Sequence, residues 1–281
     1  MTHTGEVPSD DDRGPRPVLV HGHPRHVQRS AVSDLVVPAV LLRAVGTAWS
    51  ELVHVYVADG PTVAFSSRDL RSPGILRATQ VARDAGFDAV VRSPGGRMVA
   101  YDRGAVVVDH LTRSSDLRQA GRSTFADNAA SHAAVLRDLG ADARVGEVEG
   151  EYCPGEYSVN VAGTAKVVGS AQRIAGTGAL FSTVVQVAVS DAVREVIVAV
   201  SRELGYALRE SSIAGLADGV PTLTAAGVAA ALVADYRRRL ATVDGPLPDG
   251  VLHHAAGATR VPRTDGPFDV DAWSRAHPLL N

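Results

Sequence analysis

Apolar residues recur at helical spacing through Leu35, Val36, Val40, Leu41, Leu42 and Val45, which predicts a first helix within residues 32–53. The period then shortens. Residues 53–57 and 62–65 read as strands about an Asp59-Gly60-Pro61 turn, and 74–85 as a helix ended by Gly86. Short strands at 89–92 and 98–101 flank a Ser-Pro-Gly-Gly loop, another follows at 105–108, and residues 125–139 fit a helix closed by Gly140. Residues 157–161 and 166–168, joined about Gly163-Thr164, have the rhythm of a hairpin. A long β-branched strand at 180–189 precedes a helix over 191–204 with Asp191 as its expected N-cap. A last helix covers 223–240, capped by Thr222 or Thr224 and closed by Arg237, Arg238 and Arg239, where cations suit the negative end of a helix dipole. Short strands in hairpin order with helices before, between and after them predict an α+β fold: a mainly antiparallel sheet with flanking helices.

The ends of the chain differ from this pattern. Residues 1–16 mix acidic residues, Pro and Gly and read as a disordered tail, and 244–281 read as a Pro/Gly-rich tail, leaving a domain over 17–243. No apolar run near the N-terminus could serve as a signal-peptide core, and the longest apolar stretches fall far short of the ~20 residues of a membrane span. A net charge of −3 with five Phe, six Tyr and two Trp offers neither a basic stripe nor a stacking platform for nucleic acid. His21, His23, His26, His253 and His254 lack supporting cysteine or carboxylate spacing and read as solvated side chains, so no metal site is expected.

Two rare residues change the picture. Of 28 basic side chains Lys166 is the only lysine, and Cys153, thirteen positions earlier, is the only cysteine. One cysteine cannot close an internal disulfide, which fits a reducing cytoplasm. Cys153 stands before Pro154-Gly155 and after Gly150-Glu151-Tyr152, a loop context in which a thiol could reach an acyl carbonyl and nearby cations would raise its thiolate fraction. Lys166 starts a Val-Val strand, so its side chain can project from the sheet as a compact point charge. The loop Arg92-Ser93-Pro94-Gly95-Gly96-Arg97 lacks Cβ atoms where a ligand oxygen could approach exposed amides, although a tight turn without a ligand would use the same residues.

Together these segments resemble the biotin/lipoate protein ligase superfamily. Its lipoate branch carries an Arg-x-x-Gly-Gly loop, then a hydrophobic strand and Asp, and later a strand reading Lys-x-x-Gly-Ser-Ala-x-Arg; here these are residues 92–102 and 166–173. The strand at 61–65 followed by Ser67-Arg68 resembles the family's strand before Gly-Arg. The resemblance implies a fold shared with class II aminoacyl-tRNA synthetase cores and transfer of a lipoyl or octanoyl group to a lysine of a carrier domain. It also implies a site: Cys153 and Lys166 as catalytic groups, with Arg68, Arg92, Ser93, Gly95, Gly96, Arg97, Gly169, Ser170 and Ala171 around the substrate.

Within that superfamily the run Cys153-Pro154-Gly155-Glu156-Tyr157 is similar to that of the octanoyl amidotransferases, which move octanoyl from the glycine-cleavage carrier protein to the lipoyl domains of 2-oxoacid dehydrogenases. That resemblance implies a thioester on Cys153, a carbonyl polarised by Lys166, no required cofactor, and lipoyl-carrier proteins as partners. An ATP- and Mg-dependent lipoate ligase working through an acyl-adenylate is the alternative. Tyr101-Asp102 replaces the His-Asp of many ligases, and Leu180-Phe181-Ser182-Thr183 stands in place of a His-His-Gly-Thr feature. A non-catalytic binder of lipoate or of lipoyl domains is the third reading. The basic Gly-Arg-Gly-type adenylate loop of biotin ligases is absent around Gly95.

Overall fold

A computed structural model describes residues 17–22, 30–45, 49, 51–113, 120–176, 178–247 and 275–276. The chain runs β1 (Val18–His21), α1 (Ala31–Ala44), β2 (Glu51–Val57), β3 (Thr62–Phe65), α2 (Ile75–Asp84), β4 (Asp88–Val91), β5 (Val99–Tyr101), β6 (Ala105–Arg113), α3 (Ala120–Asp138), β7 (Ala143–Val145), β8 (Val159–Val161), β9 (Ala165–Ala175), β10 (Gly178–Gln186), α4 (Asp191–Glu203), α5 (Ala225–Leu240) and β11 (Val243–Asp244). The large sheet has the order β11-β1-β2-β6-β10-β9-β8-β7, and a small sheet has the order β4-β3-β5. From β2 to β7 every neighbour pair in the large sheet is antiparallel, as the hairpin rhythm predicts, whereas β1 pairs in parallel with both β2 and β11.

Both faces of the large sheet are covered, which explains why β6 reads as a continuous apolar run instead of an alternating one. Val106 and Val108 pack with α3 and α5, while Val107 packs on the opposite face with the small sheet, α2 and α4. Helix α1 closes the far end of that second face through Val37, Leu41 and Leu42 against Leu52, Leu111 and Leu180. The sequence pattern ends β6 at Val108, but the strand continues to Arg113 with Asp109 and His110 buried in it. Burying a polar side chain costs free energy that only partners can offset, so polar residues inside a strand look like its end until the partners are known.

One local expectation changes and another is narrowed. The N-cap of α4 is Ser190, whose Oγ accepts the Val193 N–H, and Asp191 is instead the first helical residue, where a carboxylate faces the positive end of the helix dipole. The cap of α5 is Thr224, whose Oγ1 accepts the Gly227 N–H. Arg238 and Arg239 pair with Asp235 on the same helix, and Arg237 reaches Asp244 of β11. Packing extends past Val243: Gly245 donates to the Leu19 carbonyl at 3.0 Å and Leu247 is buried. His21 is exposed, whereas the expectations for residues 1–16 and for His23, His26, His253 and His254 lie outside the described residues. Among the described residues no helix is long and apolar enough to cross a membrane, and no group of three His, Cys, Asp or Glu could hold a metal ion.

Candidate active site

The glycine loop joins β4 to β5 and is tied down from three directions. Gly96 has φ +93°, a conformation that favours glycine. Its carbonyl accepts the Ser66 hydroxyl at 2.7 Å from the end of β3, and the Ser66 N–H is in turn held by the buried Asp69 carboxylate at 2.7 Å. The second oxygen of Asp69 accepts the phenol of Tyr206 from beyond α4. Burial, and then the Asp69 carboxylate, push that phenol's pKa upward, so it stays a donor. Arg92 donates to the Arg97 carbonyl at 2.8 Å, and the Arg97 guanidinium lies 4.5 Å from the Tyr206 ring centroid while reaching the Tyr152 carbonyl at 3.4 Å.

Opposite the loop stands Cys153. The Arg97 N–H points at Cys153 Sγ at 3.4 Å, and a Cβ on Gly96 would lie 3.5 Å from the same sulfur. Cys153 is partly exposed. Main-chain amides facing a thiol suit negative charge on sulfur and on an acyl oxygen beside it.

Lys166 does not project freely. It is 4% exposed, its Nζ donates to Glu151 Oε1 at 3.0 Å, and a second, short bond goes to the Cys153 carbonyl. Gly169 makes this possible, since a Cβ there would stand 3.0 Å from Lys166 Cε; the lysine folds back over the strand in the space the glycine leaves. Glu151 is wholly buried and accepts three donors: the Val148 N–H, the Ser158 hydroxyl and Lys166. A buried carboxylate with all its partners hydrogen-bonded is the arrangement in which an interior ion pair holds. Tyr152 is buried beside them, its ring centroid 5.8 Å from Nζ, and burial pushes its phenol pKa upward.

These groups border a cavity of about 510 Å3, within the range of roughly 300–1,000 Å3 usual for small-molecule sites. Strand β8 pairs with β9 only as far as Val168, and beyond that point Gly169, Ser170 and Ala171 line the cavity. Arg92, Gly95, Gly96 and Arg97 form the opposing wall, with Cys153 and Lys166 between the two. Arg68 and Ser93 lie outside the wall: Arg68 is exposed beside the 3-10 turn Asp69–Arg71, and Ser93 is buried within the loop. Sequence reading missed Phe125, which α3 brings to the cavity edge-on to Phe181 at 4.8 Å, and Val99 and Val184, which add apolar wall. It also passed over Glu151 as a polar neighbour. A lysine at the start of a Val-Val strand is a signal for such a partner, since a buried ammonium needs a counter-charge.

Comparison with known proteins shows the family and the fold. The sequence profile of the lipoyl protein ligase A/B catalytic domain matches residues 36–237. The chain is 30% identical over 196 residues to an octanoyl-[GcvH]:protein N-octanoyltransferase of Geobacillus kaustophilus, covering 69% of this chain and 68% of that protein. A protein of the same name from Exiguobacterium sibiricum is 32% identical over 116 residues, 40% of each chain. Among solved structures, protein Ta0514 of T. acidophilum with bound lipoic acid superposes with a TM-score of 0.64 at 18% identity over 86% of this chain and 92% of that one. A lipoate-protein ligase A bound with ATP gives 0.65 at 18% identity over the same shares. At that identity these two structures speak for the fold.

Proposed function

The chain belongs to the lipoyl protein ligase A/B catalytic domain family, and within it we propose a cysteine-dependent octanoyltransferase that acylates lysines of lipoyl-carrier proteins. The observation that carries this reading is Cys153, whose sulfur stands at the cavity wall facing the Arg97 N–H, while Lys166 is bonded to the carbonyl of the same cysteine. The relatives named octanoyl-[GcvH]:protein N-octanoyltransferase support the acyl group and the class of partner.

In the first half-reaction the Cys153 thiol attacks the octanoyl amide of a donor carrier. The C–S bond forms, the C–N bond breaks, and the thiol proton leaves with the released lysine amine. In the second, an acceptor lysine amine attacks the thioester; a C–N bond forms, the C–S bond breaks, and the amine's proton restores the thiol. The two steps balance without nucleotide or metal, so no cofactor enters. The Arg97 amide and the Lys166 ammonium are the donors placed to stabilise oxyanion charge in both steps. Gly95, Gly96, Gly169, Ser170 and Ala171, which bear little or no side chain, leave room for the acyl chain, and Phe125, Val99 and Val184 supply apolar surface.

Intact mass spectrometry after mixing with an octanoylated carrier and an unmodified lipoyl domain, without ATP, tests the reading. The acceptor should gain one octanoyl group and the enzyme should transiently carry one. Transfer by Cys153→Ser at the wild-type rate would overturn it.

A further inference from the structure

The cavity contains a charge arrangement that bears on which acyl donors it accepts. Lys166 is the only lysine of the chain, and its ammonium is already paired with Glu151 at 3.0 Å inside the protein. Two of its three N–H donors are occupied, by the carboxylate and by the Cys153 carbonyl, which leaves one for a substrate oxygen. Arg92 and Arg97 also border the cavity; their bonds go to the neutral carbonyls of Arg97 and Tyr152, so Glu151 offsets the charge of Lys166 and not theirs.

Resting on the transferase reading, we propose that Glu151 is a specificity-determining residue: by neutralising Lys166 from within, it fits the cavity to neutral acyl donors, amides and thioesters, and disfavours acyl phosphates and acyl-adenylates. A neutral carbonyl needs one oriented donor, and a lysine with a fixed counter-ion supplies that. At Nζ a phosphate would meet a carboxylate 3.0 Å behind the ammonium, in a setting with little water to screen the repulsion. Glu151 does not touch the substrate; it acts through Lys166 and fixes its position against the cysteine loop.

The experiment measures binding of octyl-AMP, which keeps the phosphate charge but cannot acylate, and of its uncharged counterpart octyl adenosine, by calorimetry. Glu151→Gln should bind octyl-AMP at least tenfold tighter than the wild type does, with less than a twofold change for the uncharged compound, and Glu151→Asp should bind octyl-AMP as weakly as the wild type. Unchanged octyl-AMP affinity in Glu151→Gln, or formation of octanoyl-AMP from octanoate and ATP by the wild type, would overturn the assignment. A second measurement needs no variant. Protein labelled with 13C at lysine Cε gives one lysine resonance, which should stay in place on adding octyl-AMP and move on acylation of Cys153; movement with octyl-AMP overturns the proposal. Wild type that fails to transfer octanoyl without ATP removes the transferase reading itself. Wild type that transfers while Glu151→Gln gains no affinity for octyl-AMP removes only the role of Glu151.

Discussion

The main-chain N–H of Arg97 donates to Sγ of Cys153 across 3.4 Å, although the two residues are 56 positions apart. The contact exists because Gly96 turns the chain at a positive φ and has no Cβ between the loop and the sulfur.

Gly96→Ala should therefore harm the site more than the fold. An alanine at φ +93° costs about 1–2 kcal/mol, and its Cβ would stand 3.0 Å from the Arg92 guanidinium and 3.5 Å from the sulfur. A displaced amide no longer faces sulfur, so transfer should fall by roughly a hundredfold to a thousandfold, the range for losing one oxyanion donor. The check is kcat/KM for transfer beside a denaturant melt; equal rates in variant and wild type would show that the loop amide plays no part.

The strut behind the loop gives a graded outcome. Asp69→Ala leaves the buried Ser66 N–H unpaired, which costs about 1–3 kcal/mol, and also releases the half-buried Tyr206 hydroxyl. Tyr206→Phe removes only one hydroxyl and keeps the ring under Arg97, so it should cost about 1 kcal/mol. Urea titration should rank Asp69→Ala well below Tyr206→Phe, with thiol alkylation of Cys153 altered in both.

How far the sequence could be read follows from which interactions are local. The helices and most strands are visible because their apolar periods are set by neighbours along the chain, and Cys153, Lys166 and Gly96 are visible because rarity or backbone freedom marks them. What is hidden depends on distant chain. Tyr206 meets Asp69 across 137 positions, and nothing near Ser66 and Asp69 announces it. The short β1 and β7 carry too few residues for a period, and β1 is fixed instead by parallel pairing with β2 and β11. Lys166 was legible as a residue but not as half of a pair, because Glu151 becomes its partner only when β9 folds the lysine back over Gly169.

Asp109 should make the fold less stable as pH rises. It is buried between β2 and β10, and among the described residues neither oxygen has a well-formed hydrogen bond. Burial, with a further push from the Asp34 charge, raises its pKa to about 7 against a partial lowering by the hydroxyls of Ser182 and Tyr56. The folded state then holds a proton that the unfolded chain releases near pH 4, so this group's contribution is intact below about pH 4 and is lost as pH rises through about 7. The loss is on the order of 4 kcal/mol at most. Asp109→Asn, neutral throughout, should match the wild type in acid and exceed its melting temperature at pH 8; a variant less stable than wild type at pH 8 would sink this account.

His132 should act in the opposite direction. It is fully buried on α3 with Nε2 3.2 Å from the Tyr236 hydroxyl, and burial first, then the Arg239 charge, lowers its pKa to about 4 despite the nearby Asp235. Between pH 4 and 6.5 the unfolded chain binds a proton that the folded state refuses, so stability is fully present above about 6.5 and falls as pH drops toward about 4. The size is on the order of 3 kcal/mol. Because Asp109 gains stability over much of the same window, the wild-type curve should look flat there while each variant exposes one slope. In the Asp109→Asn background, acidification from pH 7 to pH 4.5 should lower the melting temperature clearly. Adding His132→Gln, which can still meet the Tyr236 hydroxyl but does not titrate, should remove most of that fall. A double variant that keeps the full slope would assign it to other groups, and His132 would then be a neutral packing residue at every pH tested.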